Sequence, residues 1–224
     1  MPSPVQTAAL LFDLDGTLLH SDPLHAQIFI DLFAARGVAI DTAYYLRHMH
    51  GRLNEDIFTE FFPDEDAAQL SWDKEAAFRD KLGGKAPATA GAETLLARAR
   101  AEGLGLAVVT NAPRVNAEAM LAAIGLADAF DAIIIGDECD RGKPHPDPYL
   151  AAMAQLNADP ARCIAFEDSP SGVRAAAASG AYTVGLESSL DADSLRAAGA
   201  DMTITDFTAP ALGPMLDRLT GARP

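Results

Sequence analysis

The sequence has 224 residues, 49% of them hydrophobic, and a formal net charge of −15 at pH 7. This length fits one domain or a core domain with a smaller insertion, and the apolar content excludes global disorder. The acidic balance, which no basic stretch offsets, argues against nucleic acid and membranes as partners.

The first predicted element is a buried strand at residues 8–12, with the sequence Ala-Ala-Leu-Leu-Phe. From about residue 20 to residue 86 the apolar spacing indicates only helices, at 23–35, 42–49, 54–61 and 66–82. Residues 83–91 are rich in glycine and alanine, which predicts a flexible connection from the helices back to the rest of the chain. We therefore predict an all-helical domain at residues 20–86, inserted into a core domain made of residues 1–19 and 87–224.

After this insertion, predicted strands alternate with predicted helices. The strands are at 104–109, 132–135, 162–166, 182–184 and, more weakly, 202–204, and the helices are at 92–101, 115–124, 148–156 and 171–179. Gly103, Gly125 and Gly180 follow three of these helices, where left-handed caps are common. The alternation predicts an α/β fold with a Rossmann-like parallel sheet.

Two aspartates, Asp13 and Asp15, directly follow the first predicted strand, and Gly16 lets the chain turn after them. Residues two apart can face the same side where the chain leaves a strand. One carboxylate could then act as a nucleophile or metal ligand while the other keeps a proton and serves as an acid. A pair of turn aspartates with Thr17 as a cap explains this motif, taken alone, equally well.

A second acidic pair, Glu167 and Asp168, follows the predicted strand at 162–166. Carboxylates in this position could bind Mg²⁺, which uses one or two of them together with waters and phosphate oxygens. The pair also fits an ordinary helix start, with Asp168 or Ser169 as the cap before Pro170. Both interpretations can hold at once.

The remaining candidates are Lys143, in a proline-rich segment, and Thr110 with Asn111, after a predicted strand. A fixed lysine could pair with carboxylates or neutralise a phosphate, and a hydroxyl beside backbone N–H groups could bind an anion. Taken singly, a solvated loop lysine and an ordinary helix cap are the better explanations. Gly103 and Gly105 do not form a dinucleotide site, because they precede a strand and lack a third glycine.

In combination these motifs resemble the haloacid dehalogenase superfamily of phosphohydrolases over nearly the whole chain. The resemblance rests on the segments Asp13-Leu14-Asp15-Gly16-Thr17-Leu18, Thr110-Asn111, Lys143-Pro144 and Phe166-Glu167-Asp168-Ser169-Pro170-Ser171-Gly172. Residues 20–86 resemble the cap domain of the β-phosphoglucomutase-like branch, and residues 51–57, 62–64, 109–118, 136–139 and 143–150 are similar to small-sugar and glycerol-phosphate phosphatases. His20 departs from the family pattern and implies a changed polarity or pH response at the cap hinge.

The resemblance implies a Mg²⁺-dependent phosphatase that acts on small phosphorylated sugars or polyols. Its catalytic residues would be Asp13 as nucleophile, Asp15 as acid and base, Lys143 and Thr110. The metal would be held by Asp13, Asp168, the Asp15 carbonyl and Glu167, directly or through water. The phosphate would be bound by Thr110, Asn111 and Lys143, and the rest of the substrate by His25, Gly51, Arg52, Asn54 and Arg114. A helix-start role for Arg52 and Asn54 and a surface position for His25 stay open.

Three rival functions remain. A β-phosphoglucomutase-type mutase would need more positively charged side chains in the cap than Arg52 alone. A haloalkanoate dehalogenase generally lacks the second aspartate, present here as Asp15. A signalling or binding protein could accept phosphate on Asp13 without turning it over. The two cysteines, Cys139 and Cys163, and a start without a basic secretory signal favour a cytoplasmic protein, expected as a monomer or weak dimer.

Overall fold

A six-stranded parallel sheet forms the centre of the molecule in the computed structural model, which describes residues 7–220. The strands are β1 (Thr7–Phe12), β2 (Gly105–Thr110), β3 (Ala132–Ile135), β4 (Ala158–Glu167), β5 (Tyr182–Leu186) and β6 (Met202–Ile204). Their order across the sheet is β3-β2-β1-β4-β5-β6, and every neighbouring pair is parallel. The strand order therefore reverses between β1 and β4, and such a switch point opens a crevice at the carboxyl ends of the strands.

Ten α-helices surround the sheet within residues 7–220. They are α1 (Asp22–Ala34), α2 (Thr42–His48), α3 (Asn54–Phe61), α4 (Ala67–Leu82), α5 (Ala92–Ala101), α6 (Arg114–Ala123), α7 (Asp147–Leu156), α8 (Pro170–Ala178), α9 (Ala192–Ala198) and α10 (Leu212–Thr220), with one 3₁₀ turn at Gly136–Glu138. The predicted α/β fold with a parallel sheet is confirmed. None of the helices in this range combines the length and apolar character needed to cross a bilayer.

The two faces of the sheet bury alternate residues of each strand. Leu10 and Phe12 of β1 belong to one apolar cluster, whereas Ala9 and Leu11 belong to the cluster on the opposite face. The ring of Phe12 stacks on that of Phe166 from β4, with ring centroids 4.9 Å apart. Because helices cover both faces, the strands read as continuous apolar runs, which explains why they were recognisable in the sequence.

The helices α1 to α4 follow one another without an intervening strand, as predicted. They share an apolar cluster of their own, which includes Phe29, Phe33, Tyr45 and Phe58. Helix α4 contacts α1 and α3 and also packs against α6 of the sheet layer. The division into a core of residues 1–19 and 87–224 and a cap of residues 20–86 stays a prediction.

Two helices and the first part of β4 are the largest differences from the predicted elements. Helix α9 has seven residues and buries a single apolar side chain, Leu195. Helix α10 carries Gly213 and Pro214 in its first turn, which are signals against a helix interior. Strand β4 begins at Ala158, four residues before the predicted start, through a polar stretch that includes Asp159 and Pro160.

Candidate active site

The carboxyl ends of the neighbouring strands β1 and β4 bring acidic groups together around one lysine, which also contacts β2. Asp13 follows β1, and Glu167 is the last residue of β4. The ammonium group of Lys143 donates hydrogen bonds to Asp13 Oδ1 at 2.6 Å, to Glu167 Oε1 at 2.5 Å and to the carbonyl oxygen of Val109 at 2.7 Å. Lys143 is buried and therefore is not the solvated loop lysine that its sequence context alone suggested.

Three buried carboxylates form the centre of this arrangement. Oxygen atoms of Asp13, Glu167 and Asp168 all lie within 4.8 Å of one another. Two glycines make room for them. A Cβ atom on Gly16, whose φ is +74°, would lie 2.0 Å from Asp168 Oδ2, and one on Gly172 would lie 2.0 Å from the Glu167 carboxylate.

The charges in this cluster do not balance. Burial raises the pKa of Asp13 to about 8, with Glu167 adding to the shift and Lys143 opposing it. Burial and the nearby Asp13 raise the pKa of Asp168 well above its usual value. Burial alone would lower the pKa of Lys143, but the charges of Asp13 and Glu167 raise it instead. One ammonium therefore faces three carboxylates, and a cation added to the cluster would relieve their repulsion.

The donor set fits a divalent metal ion that prefers oxygen ligands. Glu167 Oε2 is buried and has no hydrogen-bond partner among the described residues. Its other oxygen accepts from Lys143 and, at 2.7 Å, from the hydroxyl of Tyr149. An orphaned carboxylate oxygen beside two further carboxylates is the feature that a bound cation would satisfy.

The side chain of Asp15 points away from this cluster. Its Oδ1 accepts from Ser21 Oγ at 2.7 Å and lies 2.9 Å from His25 Nε2. Lys74 Nζ lies 2.8 Å from His25 Nδ1, and because an ammonium can only donate, the ring proton must lie on Nε2 and point at Asp15. Burial alone would raise the pKa of Asp15, but the hydrogen bonds from His25 and Ser21 lower it. These contacts rule out the surface position that the sequence left open for His25.

A cavity of about 420 Å³ lies between these strand ends and helices α1 to α4. Most of the predicted site residues line it, namely Asp13, Asp15, His25, Gly51, Arg52, Asn54, Thr110, Asn111, Lys143 and Asp168. Glu167 is fully buried and does not line the cavity. Arg114 lies elsewhere: it pairs with Glu138 at 2.6 Å and lines a separate groove beside β3.

The hydroxyl residues near the helix starts differ in what they bind. Ser169 caps α8 by accepting the N–H of Gly172 at 3.0 Å. Thr110 is not the cap of α6, which is Pro113, although its hydroxyl accepts the N–H of Ala112 at 3.0 Å. Thr17 Oγ1 is buried without a hydrogen-bond partner among the described residues.

Other candidates are tied to their neighbours. The Asn111 amide holds the lysine loop, because its Oδ1 accepts from Lys143 N at 3.1 Å and its Nδ2 donates to Lys143 O at 3.2 Å. Arg52 pairs with Glu60 at 2.6 Å and donates to the carbonyl oxygen of His48 at 3.0 Å. Asn54 is the first residue of α3, but its side chain donates to Glu75 rather than capping the helix.

Several polar residues at the cavity or in contact with the acidic cluster were not predicted from the sequence, and two of them lie on α4. Lys74 and Glu75 are buried there together with Leu70 and Phe78. Leu70, Lys74 and Phe78 are spaced four residues apart, so Lys74 occupies an apolar position of a helical stripe. A lysine at an apolar position of a helical stripe was the sequence signal that could have identified Lys74 as a buried residue. The other missed residues are Asp22, which pairs with His50 at 3.2 Å, Asn116 and Tyr149.

Comparisons with known proteins agree with this geometry. The family model of haloacid dehalogenase-like hydrolases matches residues 7–180. The chain is 35% identical to validoxylamine A 7'-phosphate phosphatase of Streptomyces hygroscopicus subsp. limoneus, over 91% of this chain and 97% of that protein. It is 29% identical to hexitol phosphatase B of Escherichia coli K12, over 80% of this chain and 82% of that protein.

A solved structure has the same fold. The structure of a haloacid dehalogenase-family IA hydrolase from Entamoeba histolytica superposes with a TM-score of 0.85 and 28% sequence identity, and it covers 96% of this chain and 99% of that one. The expected enzyme class is confirmed by this agreement of family, relatives and fold. The chain belongs to the haloacid dehalogenase-like hydrolase family, as an enzyme of the phosphoric monoester hydrolase type.

Proposed function

We propose that the protein is a Mg²⁺-dependent phosphatase that hydrolyses monophosphates of small sugars or polyols through a phosphorylated Asp13. The observation that carries the proposal is the contact of Lys143 with both Asp13 and Glu167, beside Asp168, at the floor of a cavity. Such a cluster can hold a phosphate dianion next to a carboxylate nucleophile only if positive charge offsets their repulsion.

The metal would be held by Asp13, Asp168, Glu167 and the carbonyl oxygen of Asp15. When bound, the cation supplies charge that stabilises both the carboxylate cluster and the phosphoryl oxygens. Lys143 supplies a second positive charge from a fixed position, since three hydrogen bonds hold its ammonium group. The hydroxyl of Thr110 and the N–H of Asn111 would bind the remaining phosphoryl oxygens.

In the first step an oxygen of Asp13 attacks phosphorus, and the bond from phosphorus to the leaving-group oxygen breaks. Asp15 gives a proton to that oxygen, so the leaving group departs as an alcohol. In the second step Asp15 takes a proton from water, whose oxygen attacks phosphorus. The bond from phosphorus to the Asp13 oxygen breaks, which releases inorganic phosphate and restores the Asp13 carboxylate. The lowered pKa of Asp15 beside His25 suits this second step, and the first step requires that the carboxyl first be protonated.

The size and polarity of the cavity support a small hydroxylated substrate. It is lined by polar side chains of the helical segment, among them His25, Asn54 and Glu75. Both phosphatase relatives are named for phosphates of small hydroxylated compounds, which is the same class of substrate. Only Arg52 and Lys74 bring positive charge to the cavity from described residues of the helical segment, and each is paired with a glutamate.

The test is release of inorganic phosphate from a panel of phosphate monoesters, with Mg²⁺ and with EDTA. We expect turnover of sugar or polyol phosphates that EDTA abolishes, and a loss of at least about 10³-fold in Asp13→Asn because the nucleophile is gone. Glu65→Gln, at an exposed carboxylate of the helical segment paired with Arg36, is the matched control and should retain activity.

Other outcomes would support the rival functions. Interconversion of sugar phosphates without release of inorganic phosphate would indicate a mutase. A phosphoaspartate that persists for minutes with negligible steady-state hydrolysis would indicate a signalling protein. Full activity in Asp13→Asn would contradict the proposed nucleophile.

The proposal includes a cytoplasmic setting and a monomer or weak dimer. Both cysteines are free thiols, Cys139 partly exposed and Cys163 buried, which is the state that a reducing compartment maintains.

A further inference from the structure

A group of polar side chains that the proposed chemistry does not use lines the same cavity. It consists of Glu75 on α4, Asn54 at the start of α3 and Asn116 on α6, which we call the Glu75 wall. Glu75 is 6% exposed and Asn116 only 1%. The wall therefore contains a buried carboxylate in contact with the space that a substrate would fill.

The hydrogen bonds of the wall converge on its carboxylate. Glu75 Oε1 accepts from Asn54 Nδ2 at 2.6 Å and from Lys74 Nζ at 2.7 Å, and Glu75 Oε2 accepts from Asn116 Nδ2. Arg79 in turn donates to Asn116 Oδ1. Three elements are joined by these bonds, so each side chain has a fixed orientation.

The wall lies on the side of the cavity where the leaving group would be. Asp15, which would protonate the leaving oxygen, contacts His25, His25 contacts Lys74, and Lys74 contacts Glu75. These contacts lead from the acid into the helical segment, where Glu75 lines the same cavity as Asp13 and Lys143. A leaving group bonded at its oxygen to phosphorus would therefore extend toward the Glu75 wall.

The chemistry of the wall matches hydroxyl groups. A carboxylate can accept about four hydrogen bonds, and the Glu75 carboxylate accepts three from described residues. Each amide carries two hydrogens, of which one goes to Glu75. Since hydroxyl groups both donate and accept, a polyol can use the remaining acceptor and donor positions together.

The same wall is unfavourable for a second phosphate. The positive charge of Lys74 is already paired with Glu75, and that of Arg52 with Glu60. Among the described residues that line the cavity, eight are aspartate or glutamate and three are lysine or arginine. A phosphate beside a buried carboxylate, without a free cation, meets like charge in a medium that screens it poorly.

We infer that the Glu75 wall determines specificity for the leaving group: it selects an uncharged, polyhydroxylated leaving group and rejects one that carries another phosphate. The inference rests on the proposed phosphatase function and adds to it that Glu75 excludes substrates whose leaving group carries a second phosphate. A second phosphate is what a mutase must bind in its bisphosphate intermediate, so the wall also disfavours that alternative.

The test compares Glu75→Gln with the wild type on three substrates: a hexitol 6-phosphate, fructose 1,6-bisphosphate and p-nitrophenyl phosphate. Removing the charge should lower kcat/KM for the hexitol phosphate about tenfold, as expected for a hydrogen bond to a charged group. It should raise kcat/KM for the bisphosphate by a similar factor, because like-charge repulsion is removed. The value for p-nitrophenyl phosphate, whose leaving group has no hydroxyl apart from the one formed at the cleaved bond, should stay within about threefold.

Two further variants separate the causes. Asn116→Ala removes a hydrogen-bonding group without changing charge, so it should lower activity on the hexitol phosphate with no gain on the bisphosphate. Glu65→Gln removes one negative charge from an exposed carboxylate that pairs with Arg36 outside the cavity, and it should leave all three values unchanged. Thermal unfolding of each variant identifies any loss caused by misfolding.

The outcomes distinguish this inference from the proposed function. Wild-type activity with an unaltered substrate preference in Glu75→Gln overturns the inference alone. An equal loss of kcat/KM on all three substrates in Glu75→Gln also overturns the inference, because Glu75 would then affect catalysis only through Lys74 and Asp15 and would not select the leaving group. A wild type that hydrolyses none of the three overturns the proposed function and the inference with it.

Discussion

At the scale of single residues, the acidic cluster depends on positions that carry no charge. Gly16 adopts a φ of +74°, and a side chain there would overlap the carboxylate of Asp168. The turn after β1 thus brings the backbone close to an acidic residue that follows β4. An alanine would push Asp168 away from Asp13 and separate the oxygens that lie within 4.8 Å.

The chain offers a matched control for this position. Gly37 has nearly the same backbone conformation, with a φ of +76°, and a Cβ atom there would have nothing within 4 Å. Both alanine substitutions should carry a strain of about 1–2 kcal/mol from the left-handed conformation. We expect Gly37→Ala to keep the proposed phosphatase activity and Gly16→Ala to lose at least about 10²-fold of it. Steady-state kinetics with a Mg²⁺ titration, alongside urea unfolding, measures both effects, and equal activity in the two variants would contradict this account of Gly16.

Some residues of the candidate site could be recognised from the sequence and others could not, for a physical reason. Asp13, Thr110 and Glu167 occur at the ends of apolar strand runs, and parallel strands bring such ends to one edge of the sheet. Lys74, Glu75 and Tyr149 occur within helices, where a polar residue is usually solvated. Their importance depends on partners from other elements, which no local pattern reveals.

At the scale of elements, two aspartates hold the edge strands in register. Asp131, just before β3, donates its N–H to Leu106 O at 2.8 Å, and its Oδ2 accepts from Leu106 N at 2.9 Å. Asp201, just before β6, makes the same pair of bonds with Thr183, at 2.8 and 2.7 Å. Each aspartate thus extends the ladder by one residue and satisfies an amide at the start of the neighbouring strand.

Asp131→Ala should destabilise the fold without removing activity. The substitution leaves the N–H of Leu106 without its carboxylate partner and removes the bond from Arg100, so we expect a loss of about 1–2 kcal/mol in the free energy of unfolding. Asp193→Ala is the control, because that carboxylate is 99% exposed and pairs only loosely with Arg196; it should change stability by less than about 0.5 kcal/mol. Urea unfolding decides the outcome, and equal stability of the two variants would show that Asp131 does not hold the strand.

The elements themselves were predictable where burial and periodicity coincide. Strand β3 and helix α3 have the predicted bounds, because an apolar run or stripe fills each of them. Helices α9 and α10 were missed since each is short and contains few apolar residues or early helix breakers. Such elements form because the sheet provides a surface to pack on, and a single-sequence pattern does not contain that surface.

At the scale of the whole molecule, the acidic cluster should make stability depend on pH and, under the proposed function, on the bound metal. The folded pKa of Asp13 is about 8, whereas its ordinary value is 3.8. Between these two values the folded protein retains a proton that the unfolded chain has released. Stability without metal must therefore fall as pH rises through this interval. A cation that binds the ionised carboxylates displaces this proton and should stabilise the protein more at high pH than at low pH.

This dependence can be measured by urea unfolding in EDTA at about pH 5.5 and about pH 8.5. The wild type should lose at least about 1.4 kcal/mol between them, the equivalent of one pKa unit. Asp13→Asn, which cannot ionise at this position, should lose less than about half as much, with Asp168 accounting for the rest. Addition of Mg²⁺ at constant ionic strength should restore the wild type at the higher pH and have a smaller effect on Asp13→Asn. Equal stability of the wild type at the two pH values in EDTA, or the same fall in the wild type and in Asp13→Asn, would show that Asp13 is already ionised without a metal, and the charge balance argued for the site would be wrong.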